Sequence, residues 1–233
     1  MQVFKFKKFE IDQSNCAMRI NTDGVLLGAI AHHQNPTSIL DIGTGTGVIA
    51  LMLAQKYVFA KVIGIEIEGG AAQTSKRNAE NSQFSDRVNV IHQDILSFNS
   101  EAKFDLIVSN PPFFTNDLKN PEPKKGLARH TSNDFIEALI KKSTELLSDD
   151  GSFWLVLPPD QFIAYNSTFE KNGLYKASVI HLKSFEGKPA FRQIIEFSKH
   201  KQSTIENDFI LYDAPSVHSN AYKLCLKDYF IAF

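Results

Sequence analysis

The sequence predicts an α/β protein: a mostly parallel, doubly wound sheet of seven strands, helices on both faces, a terminal antiparallel hairpin and a short N-terminal arm. Three observations carry this. Apolar runs of strand length alternate with helical patterns from Ser38 to Leu157, which is the signature of parallel strands joined by crossovers. A glycine-rich turn, Asp41-Ile42-Gly43-Thr44-Gly45-Thr46-Gly47, follows the first of these strands. The last two candidate strands are separated only by Ser184–Pro189. That gap is too short for the crossover a parallel pair needs, so these two strands run antiparallel.

Each element has its own reason. The strands are Ser38–Ile42, Lys61–Ile67, Val88–Ile91, Phe104–Ser109, Gly151–Leu157, Leu174–Lys183 and Ala190–Ser198. Most are near-continuous apolar runs, as expected of strands covered on both faces. Helices are expected over Val48–Gln55, over the polar stretch Gly70–Ser82 and over Asp134–Leu147. In the last, Asp134 and Glu137 have capping-box spacing, and Phe135, Ile136, Leu139 and Ile140 share one face. Thr22 and Asp23 are candidate caps for a helix Gly24–Ala31. Phe114–Asn133 shows no periodicity and reads as a long loop facing the substrate. The expected organisation is an arm, 1–30, packed on one catalytic domain, 31–233.

Composition narrows the function. With 43% hydrophobic residues in 233, the chain can bury a sizeable core. No apolar run reaches the roughly 18 residues of a membrane span. The first residues alternate apolar and basic side chains and lack the apolar core of a signal peptide, so a cytoplasmic protein is expected. Cys16 and Cys225 match no metal or redox spacing. A net charge of −1 argues against coating long nucleic acid. An RNA partner would be held through a local patch and a few bases.

The glycine turn is not a dinucleotide fingerprint, because its third glycine comes one residue early and Val48 takes the expected place. No Lys-Ser/Thr follows, so a P-loop is excluded. Glu66, about 20 residues on, stands where a carboxylate can accept from two ribose hydroxyls. Asp94 falls at the same level of the sheet, and Asp41 lies beneath the glycines. Three acidic groups would repel a pyrophosphate and favour a cationic ligand such as S-adenosylmethionine. This residue set resembles the class I methyltransferase family, whose sheet is Rossmann-like and seven-stranded. The resemblance implies that Asp41, Gly43, Gly45 and Gly47 line the methionine and ribose, Glu66 the ribose hydroxyls, and Asp94 with Ile95 the adenine.

The strand Phe104–Ser109 runs into Asn110-Pro111-Pro112-Phe113. In this family that segment resembles the signature of enzymes that methylate a planar exocyclic or amide nitrogen. Such a nitrogen has its lone pair delocalised into the ring. The Asn110 side-chain oxygen and the Pro111 carbonyl can accept its two N–H groups and localise the pair. Pro111 and Pro112 fix the backbone and preorganise the acceptors. Phe113 would stack on the base, worth roughly 1–3 kcal/mol. Many relatives carry Tyr there, so a phenolic hydrogen bond is not expected here. No metal is implied.

The arm, with Phe6-Lys7-Lys8-Phe9 and Cys16-Ala17-Met18-Arg19-Ile20-Asn21-Thr22-Asp23-Gly24, resembles a small group of bacterial enzymes. These methylate N6 of the adenine 3′ of the anticodon, nucleotide 37, in a valine tRNA. The resemblance extends to Ser219-Asn220-Ala221-Tyr222 and implies that Thr22 and Asp23 close over the methionine end. Lys7, Lys8, Lys124, Lys125 and Arg129 are the candidate tRNA-facing patch, with no obligate protein partner expected. The alternatives are a ribosomal RNA guanine N2-methyltransferase, a glutamine N5-methyltransferase and a non-catalytic RNA chaperone on the same fold. The short arm leaves no room for the extra domain of the second, and the retained site residues oppose the last.

Overall fold

The computed structural model describes residues 3–16, 18–112 and 125–233, with only the backbone over 125–134. Along the chain, the hairpin β1 (Val3–Lys5) and β2 (Glu10–Asp12) leads to α1 (Thr22–Ile30). Then come β3 (Ser38–Ile42), α2 (Val48–Lys56), β4 (Lys61–Glu66), α3 (Gly69–Glu80), β5 (Val88–His92) and β6 (Phe104–Ser109). The second half holds α4 (Lys125–Leu146), β7 (Leu147–Leu157), α5 (Pro159–Lys171), β8 (Tyr175–Lys183) and β9 (Arg192–Ser198). It closes with β10 (Ile205–Ile210), β11 (Tyr212–Ala214), β12 (Val217–His218) and α6 (Asn220–Leu226).

The main sheet has the order β10-β8-β9-β7-β6-β3-β4-β5. Strands β5, β4, β3, β6 and β7 are parallel, and β9 inserts antiparallel between β7 and β8. The predicted hairpin β8–β9 is present, but it does not end the sheet. An eighth strand, β10, adds parallel to β8. Its sequence, Ile-Glu-Asn-Asp-Phe-Ile, is largely exposed and lacks alternation, which is how an edge strand protected by charge reads.

Side chains alternate across the sheet into two apolar layers. Ile39, Leu106, Val108, Trp154, Val156 and Ile194 face one cluster, which holds α1, α2 and α6. Their neighbours Leu40, Ile107, Phe153, Leu155 and Ile195 face the other, with α4 and α5. This period of two, apolar on both faces, explains why the strands read as continuous hydrophobic runs.

Three expectations need correction. Helix α4 begins at Lys125, well before Asp134, so Asp134 and Glu137 lie inside a helix and form no capping box. No proline occurs from Lys125 to Leu146 to stop the helix extending N-terminally. The expected loop therefore shortens to 114–124, which lies outside the described residues. The cap of α1 is Asn21, whose side chain accepts from the Gly24 N–H at 2.8 Å, in place of Thr22 or Asp23.

The arm is stitched to the other end of the chain. Phe6 bridges Phe230, and the Phe6 and Phe9 rings stack at 4.4 Å. The Lys7 ammonium donates to the carbonyls of Lys227 and Phe233.

Candidate active site

The chain leaves β3 outward to β4 and β5, then returns to β6 on the other side of β3. The carboxyl ends of β3 and β6 therefore form the switch point of the sheet, where such folds bind ligands. Ser109 Oγ donates to the Ile42 carbonyl at 3.0 Å and ties these two ends together. A cavity of about 430 Å³ opens there.

The glycine turn forms the floor. Gly43 and Thr44 donate their N–H groups to the Ile65 carbonyl at 2.8 and 3.0 Å. Gly43, Gly45 and Gly47 all have positive φ, between 56° and 82°, which side-chain-bearing residues adopt at a cost. Gly43 and Gly45 line the cavity, whereas Gly47 starts α2 and packs against Ser75 outside it.

Asp41 lies below the turn and does not line the cavity. It is fully buried and accepts from Thr44 Oγ1 at 2.6 Å and from the Ala50 N–H at 3.1 Å, both at Oδ2. Burial pushes its carboxyl up to about 7, against the lowering effect of these two bonds, while the Glu66 charge adds to the rise. Asp41 Oδ1 has no partner among the described residues, which suits a carboxyl that keeps its proton there. Asp41 thus anchors the turn from beneath the cavity floor.

Glu66 forms one side. Its Oε2 accepts from the Gly45 N–H and its Oε1 from the Glu68 N–H, both at 2.9 Å. Each oxygen keeps a further lone pair, and the carboxylate is held in one orientation. Asp94 accepts from the Leu96 N–H at 2.9 Å and caps the short turn Ile95–Ser97. Asp94 and Ile95 line the cavity beside Phe135 of α4.

The last side is made by Asn110, Pro111 and Pro112 with Asn21 and Gly24 of the α1 entry. A Cβ placed on Gly24 would sit 3.5 Å from Asn110 Nδ2, so the turn faces the amide with room for about one methyl group between them. Asn110 Oδ1 is buried and unpartnered among the described residues. Leaving a buried acceptor unmade costs about 1–3 kcal/mol.

The structure brings together Gly43, Gly45, Glu66, Asp94, Ile95, Asn110, Pro111 and Pro112. It does not bring Thr22 or Asp23 to the cavity wall. Asp23 turns instead to Arg192, with Oδ2 at 3.1 Å from Nε. Phe113 and Lys124 lie outside the described residues, as do the side chains of Lys125 and Arg129. Lys7 is exposed and its ammonium donates to the two carbonyls named above, which leaves one N–H for another acceptor. Lys8 is exposed. Sequence reasoning missed Asn21, Cys16 and Phe135 as wall residues. Only Asn21 left a trace, as a cap-type residue just ahead of an apolar run.

This geometry has known counterparts. A family model described as methyltransferase small domain matches residues 21–173, and the chain belongs to that family. Within it, the chain is similar over nearly its whole length to the tRNA1(Val) (adenine(37)-N6)-methyltransferase of Pedobacter heparinus. The two are 50% identical over 230 residues, covering 99% of this chain and 98% of the relative. The enzyme of that name from Bacteroides thetaiotaomicron is 37% identical, covering 98% and 97%. Among solved structures, a predicted O-methyltransferase from Agrobacterium tumefaciens matches with a TM-score of 0.69 at 17% identity, covering 89% of this chain and 96% of that one. A ribosomal protein L11 methylase from Lactobacillus delbrueckii matches at 0.55 and 17%, covering 76% and 77%. These last two share the fold.

Proposed function

We propose that the protein transfers a methyl group from S-adenosylmethionine to N6 of adenine 37, the base 3′ of the anticodon, in a valine tRNA. The observation that carries this reading is Asn110 Oδ1 at the end of β6, buried and without a partner among the described residues. Its near-full-length similarity to enzymes of that name supports the choice of acceptor.

The cavity residues fit the donor. Glu66 presents two oriented oxygens to a pair of hydroxyls, and Asp94 presents an acceptor to an exocyclic amine. S-adenosylmethionine supplies an electrophilic methyl carbon on a cationic sulfur. Asn110 Oδ1 and the Pro111 carbonyl accept the two N–H groups of the adenine amine and draw its lone pair out of the ring. With the donor bound, its methyl would be the electrophile for the nitrogen that Asn110 and Pro111 hold, and the proton displaced from that nitrogen would leave to solvent. Proximity and alignment do most of this work. By the family resemblance, Phe113 is the residue expected to stack on the target ring. An anticodon-loop base is already unpaired, which spares the chain the cost of flipping it from a duplex.

The test is to incubate the protein with labelled S-adenosylmethionine and total tRNA from a strain lacking this enzyme, then digest to nucleosides. Label in N6-methyladenosine, lost in Asn110→Ala, is expected. That substitution should lower kcat by roughly 10²-fold or more, the scale seen for a preorganised hydrogen-bonding group. Label in ribosomal RNA or protein, with none in tRNA, would overturn the acceptor.

A further inference from the structure

We infer that Arg192 is a positioning residue for methyl transfer, acting through Asp23 on the α1 turn that walls the cavity and faces Asn110. The inference rests on the reading of this cavity as the methyl-transfer site.

Arg192 opens β9, the one antiparallel strand among the sheet's inner members, so it begins at the sheet edge that carries the cavity. Its guanidinium donates from Nε to Asp23 Oδ2 at 3.1 Å and from Nη1 to the Phe191 carbonyl at 2.8 Å. The side chains of Arg192 and Asp23 are 25% and 14% exposed, so the pair is largely withdrawn from water. Asp23 lies in the first turn of α1, where a negative charge also favours the helix end. Burial raises its carboxyl pKa, and the Arg192 charge opposes that rise.

The same turn holds Asn21, which caps it, and Gly24, which faces the Asn110 amide across a gap about one methyl group wide. The pair therefore clamps α1 to the sheet where the first turn of α1 faces the amide across the cavity. A residue 169 positions away in sequence fixes the wall behind the reacting group. Without the clamp, a half-buried carboxylate would be left uncompensated and the turn would move toward water. A shift of about 1 Å at a reacting centre can cost 10²-fold in rate.

The experiment measures kcat, KM for tRNA at several salt concentrations, S-adenosylmethionine affinity by calorimetry, and melting temperature. The variants are Arg192→Ala, Arg192→Lys, Asp23→Ala and the double Asp23→Ala/Arg192→Ala. Arg192→Ala should lower kcat about 10- to 100-fold at temperatures where it is fully folded. Arg192→Lys should recover most of that loss, and the double variant should be no worse than the poorer single one. Losses that multiply independently, or a folded Arg192→Ala with unchanged kcat and cofactor affinity, would overturn the inference. So would a salt-dependent rise in tRNA KM confined to the Arg192 variants, which would make Arg192 an RNA contact. Calorimetry needs no acceptor. If the unaltered protein binds S-adenosylmethionine but leaves tRNA unlabelled, the acceptor reading fails while the clamp can still be judged.

Discussion

Substituting Gly64 by Ala should loosen the glycine turn from a distance. Gly64 lies in β4 opposite Asp41 of β3. A Cβ placed there would meet Thr44 Oγ1 at 2.9 Å and Thr44 Cβ and Cγ2 at 3.0 Å each. Rotating Thr44 cannot relieve this, because its own Cβ is one of the close atoms. The turn must lift by several tenths of an ångström. Overpacking of this kind costs about 1–3 kcal/mol. Lifting Thr44 also strains its 2.6 Å bond to Asp41, worth roughly 1 kcal/mol more. At about 2–4 °C per kcal/mol for a chain of this size, Tm should fall by roughly 4–16 °C. Because Thr44 lies between Gly43 and Gly45 on the cavity floor, S-adenosylmethionine affinity should fall about tenfold, near 1.4 kcal/mol. Thermal melts and calorimetry on Gly64→Ala decide it. A Tm within about 1 °C of the parent, with unchanged affinity, would refute the reasoning that this turn is seated on a glycine.

Asn21→Ala removes the α1 cap and should cost about 1 kcal/mol, read as a Tm loss of about 2–4 °C, with a further loss of cofactor affinity because Asn21 walls the cavity. Stability should fall as pH rises from about 4 toward 7. The folded pKa values of Asp41 and Glu196, each raised to about 7, mean that the native state binds more protons than the unfolded state across that window. That contribution is fully present below the unfolded carboxylate pKa and is lost as pH passes the folded one. Melting curves across pH should show a shallower decline in Asp41→Asn, and an unchanged slope would remove Asp41 as its source. Charge reversal at Lys124 and Lys125 should raise KM for tRNA and flatten its salt dependence, and unaltered tRNA kinetics would remove both from the RNA-facing surface.

What was legible in the sequence follows from physics. Strands β3 and β6 match their predicted bounds because both faces are buried, so hydrophobicity stops where the strand stops. The glycine turn, Glu66 and Asn110 were readable because each lies a fixed step beyond such a strand. Helix α5 was missed because Pro158-Pro159 reads as a loop, although Pro159 sits at a helix start, where its missing N–H costs nothing. The start of α4 was missed because Lys125–Asn133 carries no apolar stripe. Asn21, Thr22 and Asp23 are all cap-type residues, and only the helix register decides among them. Nothing local marks Arg192, whose meaning comes from the insertion of β9 beside β7.

The bridge between Phe6 and Phe230 has a kinetic consequence. The arm finds its partner only after a span of about 220 residues has been brought back on itself. Closing so large a loop adds little to the thermodynamic cost, which grows only with the logarithm of length. It does set the order of events, because contacts distant in sequence form late. The sheet and the floor of the cavity can assemble first from neighbouring strands. Cys16 and Asn21, cavity walls in the stretch that joins the arm to α1, are therefore expected among the later parts of the site to settle, and a lag between sheet formation and gain of S-adenosylmethionine binding on refolding would show it.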